Sequence, residues 1–416
     1  MFAQVVGLLP GGGKAERLAR RLDLAKSGAM EVWDFNLRHL AAITRISDLG
    51  TMNAAAEAVS LTQPAITQAL ARIEAQLGMA LFERRHNGMV ETAAARVLVP
   101  RFRGALAHIG SAHVTMSRLR ALLALAEGGS YVAAAAMTGL SLPSLHRAVN
   151  DLSLSLRRQL VVRRGKAVVL TEAGKTMARA LRLGRLELET ALAELAAFQG
   201  HEQRSLTVGA MPLSRARVLP AAVTRFMRRH PQVRLRIVEG SRLELVEPLR
   251  NGVIDLMIGA LRLPLTEPDL AQIPLFLDRP VVVGRLNHPL AGHDPSLADL
   301  AAYPWIIAAS GAPLRDAWEQ MFARGGVGLP PVMVESGSVM TIRQLLIDSD
   351  CLTLLSPDQV AVELEAKWLT RIAPAPEGLA RTIGVTTRMS WVPTAVQSDF
   401  MAELAAVSPH EAVGDV

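Results

Sequence analysis

The stretch GTMNAAAEAVSLTQPAITQALARIEAQLGMALFERR, which runs from Gly50 to Arg85, decides the fold of the N-terminal part of this chain. Its order predicts a short helix from Met52 to Val59, a turn, a second helix from Gln63 to about Gln76, and a basic hairpin after Gly78. Apolar residues recur at helical spacing and can pack inward; they are Ala55, Val59, Ile66, Leu70, Ile73 and Leu77. The pattern therefore predicts a helix-turn-helix followed by a wing.

The exposed face of the second helix carries amide, hydroxyl and basic side chains. Gln can bond adenine bidentately, Thr can contact thymine methyl groups or phosphates, and Arg can reach guanine or the backbone. Pro64 stands in the first turn, where its missing N–H is harmless. The residues expected to contact DNA are Thr62, Gln63, Pro64, Thr67, Gln68 and Arg72 in the helix and Arg84 and Arg85 in the wing. A helical hairpin with a polar outer face is the alternative that the local pattern leaves open.

The same stretch resembles the winged helix-turn-helix of LysR-type transcriptional regulators. The matching groups stand in the family's order and spacing: Ala54 to Ala58, Thr62 to Thr67, Ile73-Glu74, Leu77-Gly78 and Leu81 to Arg85. The resemblance implies that residues 36–95 form a winged helix-turn-helix that binds double-stranded DNA. A typical member of that family is shorter by a small domain, so this chain contains an addition.

A repeat accounts for the addition. Pro143 stands 79 positions after Pro64, Gly129 stands 79 after Gly50, and residues 119–174 repeat residues 40–95 without a gap. A repeat of this length predicts one fold unit used twice, so residues 119–174 should form a second, degenerate winged helix-turn-helix.

The reading surface of the second copy has changed. Gln63 is replaced by Leu142 and Arg72 by Asp151, an acid that faces the expected position of a phosphate. Two readings stay open: a structural mimic packed against the first copy or serving as a dimer partner, or a weaker DNA reader. The reader would use His146, Arg147, Arg163 and Arg164.

Helices are expected between and after the two copies. Residues 96–118 read as a helical connector, and residues 175–200 as a linker helix with an apolar seam of nearly heptad spacing. Such a helix beside a DNA-binding unit favours a homodimer or homotetramer. The alternative is a helix that packs on its own chain.

Composition limits the possible classes of protein. Residues 1–200 hold 25 Lys and Arg against 15 Asp and Glu, whereas residues 201–416 hold 20 against 23, so the basic half is the one expected to bind nucleic acid. The single cysteine, Cys351, suits a reducing cytoplasm, and no apolar run is long enough for a membrane span. Residues 1–35 read as a disordered leader, or as an over-extended start with Met30 as the real one.

From residue 204 onward, strands alternate with helices, which predicts parallel sheets with right-handed crossovers. Two sets of such elements predict a two-lobed α/β domain over residues 204–405, followed by a tail at 406–416. Lobe 1 is expected at about 204–262 and 385–405, and lobe 2 at about 268–384. The ligand of such a domain binds between the carboxyl ends of the strands.

This half resembles the effector domain of the LysR type, which is similar to periplasmic-binding proteins of type 2. Val208 to Arg215 and Asp255 to Arg262 look most like the group that responds to sugars or small aromatic acids. Hydroxyls and helix N-termini favour an anionic or polyhydroxylated ligand, and Arg215 or Arg262 can supply charge. The resemblance places the effector against Pro212, Leu213, Ser214, Arg215, Arg262, Ser310, Gly311, Ser336 and Gly337.

No catalytic motif, metal-ligand spacing or cofactor motif stands out in the sequence, so we expect neither an enzyme nor a cofactor. His288 and His293 lie in a loop with Pro and Gly and are expected to face solvent. The leading hypothesis is a cytoplasmic transcriptional regulator whose binding to its operator is modulated by a small effector, with RNA polymerase as a further partner. The alternative is a cytoplasmic solute-binding or adaptor protein that uses its winged helices for assembly only.

Overall fold

A computed structural model describes residues 30–86, 88–165, 167–198, 200, 205–374 and 378–408. Two compact units divide the chain, at residues 1–201 and 202–416. None of the described helices is both long enough and apolar enough to cross a bilayer.

The first winged helix is built from three helices and a two-stranded wing. Thr51 and Thr62 accept hydrogen bonds from the backbone N–H groups of Ala54 and Ala65, which start the second and third helices. Gly78 has a left-handed conformation (φ 70°) and ends the third. The elements are α1 (Leu37–Leu49), α2 (Met52–Ala58), α3 (Gln63–Leu77), β1 (Phe82–Arg85) and β2 (Gly88–Glu91).

The core of this unit starts before residue 36, which corrects the expected extent of the leader. Val32–Asp34 form a short 3-10 helix, and Val32 and Phe35 are buried at 7% and 3% exposure. The Phe35 ring meets the Phe102 ring edge to face, with centroids 5.6 Å apart. The expectation for residues 1–29 lies outside the described residues.

The second copy has the same fold as the first, which confirms the predicted fold class of two winged helices. Ser130 and Ser141 cap its helices where Thr51 and Thr62 cap those of the first copy. Arg157 has a positive φ of 51° at the position that corresponds to Gly78. The elements are α5 (Met116–Gly128), α6 (Tyr131–Thr138), α7 (Leu142–Ser155), β3 (Val161–Arg164) and β4 (Ala167–Leu170).

Each wing is followed by a long helix, α4 (Ala93–Ile109) or α8 (Glu172–Phe198), and these two helices pack against each other. The apolar seam of α8, including Leu181 and Leu188, is buried within the unit. The sequence favoured a dimer for this seam, but the structure shows the alternative: the seam packs on its own chain. The connector predicted at residues 96–118 continues α4 as a helix to Ile109 and then forms a loop to residue 115.

Lobe 1 of the second unit is a mixed sheet, in the order β6-β5-β7-β14-β8, covered by helices. Its strands are β5 (Ser205–Ala210), β6 (Arg234–Glu239), β7 (Leu256–Ala260), β8 (Leu270–Asp278) and β14 (Arg381–Arg388). Its helices are α9 (Val218–Arg229), α10 (Arg242–Arg250) and α15 (Ala395–Val407). β5 runs parallel to β6 and β7, whereas β14 runs antiparallel to β7 and β8.

The pairing of β8 corrects two expectations from the sequence. The sheet is not wholly parallel, and β8 belongs to lobe 1, although the sequence placed the start of lobe 2 at about residue 268. β14 pairs with β8 from Arg381 to Arg388, so the return strand enters lobe 1 a few residues earlier than the expected 385.

Lobe 2 has a related strand arrangement. β12 and β13 both pair with β9 in antiparallel fashion, β10 pairs with β11 in parallel, and a bridge from Trp305 to Leu352 connects the two groups. Trp305, Trp318 and Phe322 pack together at the centre, each at 0% exposure. The elements are β9 (Val281–Arg285), α11 (Leu297–Ala301), β10 (Trp305–Ile307), α12 (Pro313–Arg324), β11 (Val332–Glu335), α13 (Val339–Ile347), β12 (Thr353–Leu355), α14 (Ala361–Glu365) and β13 (Leu369–Pro374).

Candidate nucleic-acid interface and effector site

Helix α3 buries one side and exposes a polar side. Ile66 and Ile73 are fully buried, and Leu70 is 6% exposed. The side chain of Gln63 donates from Nε2 to the hydroxyl of Thr67 at 3.1 Å, and that hydroxyl donates to the backbone carbonyl of Gln63 at 3.0 Å. The helix residues expected to contact DNA are all exposed: Thr62, Gln63, Pro64, Thr67, Gln68 and Arg72. The first turns of α3 thus present amides and hydroxyls on one accessible face.

Arg72 is an exposed basic residue further along α3, near His39 of α1. Burial, and after it the charge of Arg72, lowers the pKa of His39 on α1 below its ordinary value of 6.5. His39 is therefore neutral at physiological pH, and Arg72 carries the positive charge at this point of the surface.

The wing adds two exposed arginines, Arg84 and Arg85. Arg85 pairs with Glu83 at 2.9 Å, but both side chains are more than half exposed, so the pair adds little stability and a phosphate can replace the carboxylate. Glu74 of α3 accepts hydrogen bonds from the backbone N–H groups of Leu81 (2.7 Å) and Phe82 (3.3 Å). Glu74 thereby fixes the wing to the recognition helix, a role that the sequence did not reveal.

The second copy exposes a different set of side chains at the corresponding positions. His146 is exposed and stacks on the Tyr131 ring, with centroids 3.7 Å apart. Arg147, Arg163 and Arg164 are exposed. Asp151 does not stand alone against a phosphate position, because Arg118 of α5 approaches its carboxylate to 3.4 Å. The acid that made this copy look unsuited to DNA is therefore charge-paired within the fold.

A buried charge cluster joins α4 to α8. Arg101 is 4% exposed; its Nε lies 2.9 Å from Glu194 and its guanidinium lies 3.3 Å from Glu187. Burial alone would lower the pKa of Arg101, but the two carboxylates outweigh burial and raise the pKa of this guanidinium. The guanidinium of Arg101 therefore keeps its charge at physiological pH and joins the two helices.

In the second unit, four loops that follow strands contain the expected effector residues. A 3-10 helix at Pro212–Arg215 follows β5, and Arg262 follows β7. In lobe 2, Ser310 and Gly311 follow β10, and Ser336 and Gly337 follow β11. The 3-10 helix of lobe 1 contacts a second 3-10 helix, Pro357–Val360, in lobe 2. The sequence did not single out that lobe 2 segment.

Individual side chains in these loops differ in accessibility. Ser214 is fully buried, and its hydroxyl donates to the carbonyl of Met211 at 2.9 Å; Leu213 is 6% exposed. Arg215 pairs with Glu239. Pro212, Arg262 and Ser336 are half-buried, while Ser310, Gly311 and Gly337 are exposed. Ser214 thus shapes the loop, while the exposed or half-buried group is accessible to a ligand.

Charged groups of both lobes meet near the two 3-10 helices. Arg217 of lobe 1 lies 3.3 Å from Glu365 of lobe 2. Burial raises the pKa of Asp358, while the charge of Arg217 counteracts this and that of Asp278 adds to it. The two lobes therefore interact electrostatically beside these 3-10 helices.

A cavity of about 420 Å³ lies elsewhere, between α1 and α4, where Thr44, Asp48, Arg103 and Leu106 are among its lining residues. Two of its charged lining residues form a salt bridge, because the guanidinium of Arg103 lies 2.6 Å from the carboxylate of Asp48. Within the described ranges, no three His, Cys, Asp or Glu side chains are grouped as metal ligands would be.

His288 corrects the expectation of a solvent-facing loop. It is 3% exposed and packs against Tyr303, with ring centroids 4.6 Å apart. Its Nδ1 accepts from the backbone N–H of Leu290 at 3.1 Å, so Nε2 carries the proton and donates to the carbonyl of Asp350, also at 3.1 Å. Burial is the main cause that lowers its pKa. His293 is exposed, as expected.

A winged helix with an exposed polar and basic face, carried in one chain with a two-lobed α/β unit, defines the class of ligand-responsive transcriptional regulators. The model of the bacterial regulatory helix-turn-helix proteins of the lysR family matches residues 37–96 and again residues 116–175, and the LysR substrate binding domain matches residues 199–408. The chain belongs to the LysR family of transcriptional regulators. It is a DNA-binding regulator with an effector-binding domain.

The similar proteins agree with this assignment. The transcriptional regulator GalR of Pseudomonas putida is 32% identical over 390 residues, which cover 91% of this chain and 98% of that protein. An SDS degradation transcriptional activation protein of a Pseudomonas species is also 32% identical, over 63% of this chain and 85% of its own length. A full-length OxyR variant of Pseudomonas aeruginosa shares the fold, with a TM-score of 0.52 at 24% identity over 71% of this chain and 99% of that one.

The extent of the GalR match has a structural implication. An alignment that covers 91% of this chain and 98% of the relative spans both winged helices and the two-lobed unit of this chain.

Proposed function

We propose that the first winged helix reads operator bases through α3. Gln63, Thr67 and Gln68 would enter the major groove, with Thr62 and Pro64 at the start of the helix. Arg72, Arg84 and Arg85 would contact the phosphate backbone. The observation that carries this proposal is the exposed amide and hydroxyl face of α3, bordered by basic groups and held to its wing by Glu74.

Binding of the full chain to duplex DNA at several salt concentrations tests this function. A DNA reader loses affinity steeply as salt rises, because each phosphate contact releases counterions. We expect a steep slope together with a preference for particular sequences in a pool of randomised duplexes. Binding no stronger than the background of a basic protein would instead support the adaptor function.

The effector in this proposal is a small anionic or polyhydroxylated molecule, such as a sugar or a small aromatic acid, bound between the lobes. Hydroxyl and backbone groups at the starts of α12 and α13 suit such a ligand, and Ser338 already caps α13. Arg262 is the half-buried cation among the accessible loop residues. A carboxylate on the ligand would pair with it bidentately.

Thermal shift with a panel of sugars and small aromatic acids would identify the effector, and Arg262→Ala then tests the site. The variant should weaken effector binding about tenfold or more, because a charged hydrogen bond is lost. Arg234→Ala removes an equally charged, exposed residue from β6 and should leave effector binding intact. Equal behaviour of the two variants would exclude Arg262 from the site.

The remaining partners of the proposed regulator follow from its task. A chain that acts on the chromosome works in the cytoplasm and acts on transcription through RNA polymerase. We propose that chains associate as homodimers or homotetramers; large apolar side chains such as Leu243, Met333 and Met340 are 90%, 66% and 71% exposed and would be covered by assembly. The mass of the protein in solution, measured by light scattering, tests this.

A further inference from the structure

The two long helices of the DNA-binding unit are equivalent parts of the repeat. Glu172 at the start of α8 stands 79 positions after Ala93 at the start of α4. Each helix follows a threonine that closes its wing: Thr92 donates its hydroxyl to the carbonyl of Ala80, and Thr171 donates to that of Gln159. These two contacts are also 79 positions apart.

Helices α4 and α8 run antiparallel to each other. They cross where two equivalent residues of the repeat meet. Arg101, in the first half of α4, contacts Glu194 near the end of α8, whereas Ile109 at the end of α4 lies against Gly184. The carbonyl oxygen of Ala105 lies 3.2 Å from where a Cβ on Gly184 would be. Ala105 and Gly184 are themselves equivalent, 79 positions apart, so an approximate two-fold axis passes through this crossing.

The same axis relates the winged helices, because each is attached to its long helix in the same way. Arg103 of α4 pairs with Asp48 of α1 at 2.6 Å. Arg182 of α8 approaches Glu127 of α5 to 4.0 Å, and both partners are shifted by 79. The unit therefore has the symmetry of a dimer within a single chain.

The buried charges favour the pairing of α4 with α8 of the same chain over the pairing of α8 with the α8 of a second chain. The position equivalent to Arg101 is Ala180, so α8 against the α8 of a second chain would place the carboxylate of Glu187 against Ala180. A buried carboxylate without a cation is strongly unfavourable. Only α4 against α8 brings Arg101 to Glu187 and Glu194.

We propose that a single chain is a complete two-fold DNA reader, in which α3 and α7 occupy two half-sites of different sequence. This inference rests on the proposed function of the first winged helix. Two-fold related recognition helices read two half-sites of one operator. Because the two helices carry different side chains, the operator is not a palindrome.

The surface of α7 fits a second half-site. Leu142 is 41% exposed and suits a thymine methyl group, while Arg147 suits guanine. Val162 stands where the first wing has Glu83, so Arg163 and Arg164 face a phosphate without the neighbouring acid of the first wing. Asp151 is paired with Arg118.

Selection of duplexes from a random pool by the full chain tests the reading of two half-sites. We expect two dissimilar half-sites, and native mass spectra of complexes that hold as many duplexes as chains. Gln68→Ala should erase the preference in one half-site and Arg147→Ala that in the other, whereas Arg228→Ala, an exposed arginine of α9, should change neither. A palindrome that is insensitive to Arg147→Ala would overturn the inference and keep the proposed function; no enriched duplex at all would overturn both.

A second experiment tests the helix pairing without DNA. Arg101→Glu, and Glu187→Arg combined with Glu194→Arg, should each lower the Tm of this unit by roughly 6 to 20 °C, as expected for broken buried ion pairs. Because Arg101 contacts both carboxylates, all three changes in one chain should recover most of that loss. Co-expression of the two variants should not restore stability, because each chain pairs its own helices. Recovery in that mixture, or variants without effect, would overturn the inference.

Discussion

Gln68 and Arg84 are both exposed on the first winged helix, but their chemistry differs. A Gln amide reads a base edge, while a wing arginine contacts phosphate whatever the sequence. We expect Gln68→Ala to cost about 1 to 3 kcal/mol at one base pair of the operator. Arg84→Ala should weaken binding to all sequences and reduce the slope of log affinity against log salt by about 1.

Titrations of both variants with the selected operator and with a random duplex measure this difference. If Gln68→Ala lost the same free energy on both duplexes, Gln68 would not be a base reader. Arg228→Ala serves as the control for loss of one positive charge outside the DNA-binding unit.

His288 makes the stability of the effector-binding unit depend on pH. Its pKa is lowered in the folded protein, mainly by burial, so the unfolded chain takes up a proton first as pH falls. The contribution of His288 is complete above its ordinary pKa of 6.5 and is lost as pH falls through the lowered value. We expect the Tm of this unit to fall between pH 7.5 and pH 5.

Thermal denaturation across that range, with His288→Gln and His293→Gln, checks the assignment. His288→Gln should flatten the pH profile, and His293→Gln is the control for loss of one exposed imidazole. A profile that His288→Gln does not alter would assign the pH dependence to other groups of the effector-binding unit.

At the scale of elements, the second wing is packed tightly onto the start of α8. A Cβ added to Gly174 would lie 2.0 Å from the carbonyl oxygen of Leu160. Although Ala is usually the better helix residue, Gly174→Ala should destabilise the unit by about 1 to 3 kcal/mol through overpacking. Chemical denaturation measures the loss.

The first copy supplies the matched control, because Ala95 occupies the equivalent position and is fully buried. Ala95→Gly should also destabilise, by roughly 1 kcal/mol, for lack of a side chain in the helix. Stabilisation by Gly174→Ala would show that the wing and α8 separate readily.

Local signals predicted most elements and few of their partners. Apolar spacing and the 79-residue repeat gave the helices of both winged copies. The same spacing marked the seam of α8 but not the surface that covers it, since α4 and a second chain would satisfy it equally. Only the position of Arg101 opposite two glutamates distinguishes them, and that contact spans more than 80 residues of sequence.

In the effector-binding unit, the sequence found the loops that follow strands, while tertiary pairing decided the rest. β8 lies in lobe 1 because it pairs with β14, about 110 residues later. His288 stands beside Pro289 in a loop of polar character, yet Tyr303 and the carbonyl of Asp350 enclose it. Neither partner is adjacent in the sequence, so composition alone indicated solvent.

For the whole molecule, two compact units predict two thermal transitions in calorimetry. An effector that binds only the folded second unit should raise the Tm of that unit. At an effector concentration of 100 times its Kd, the free energy of unfolding of the unit rises by about 2.7 kcal/mol. Gly174→Ala should lower the other transition and so identify it. An effector that raises both transitions equally would show that the units unfold together.

The 79-residue repeat also changes how this regulator can evolve. In a protein that reads a palindrome with two identical subunits, every substitution in the recognition helix alters both half-sites at once. In the proposed reader of two half-sites, Gln68 and Arg147 are encoded separately, so the sequence of one half-site can change while the contacts to the other half-site are kept. One codon change in a single recognition helix can then adapt the regulator to a promoter that differs at one half-site. The contacts of the other recognition helix stay unchanged.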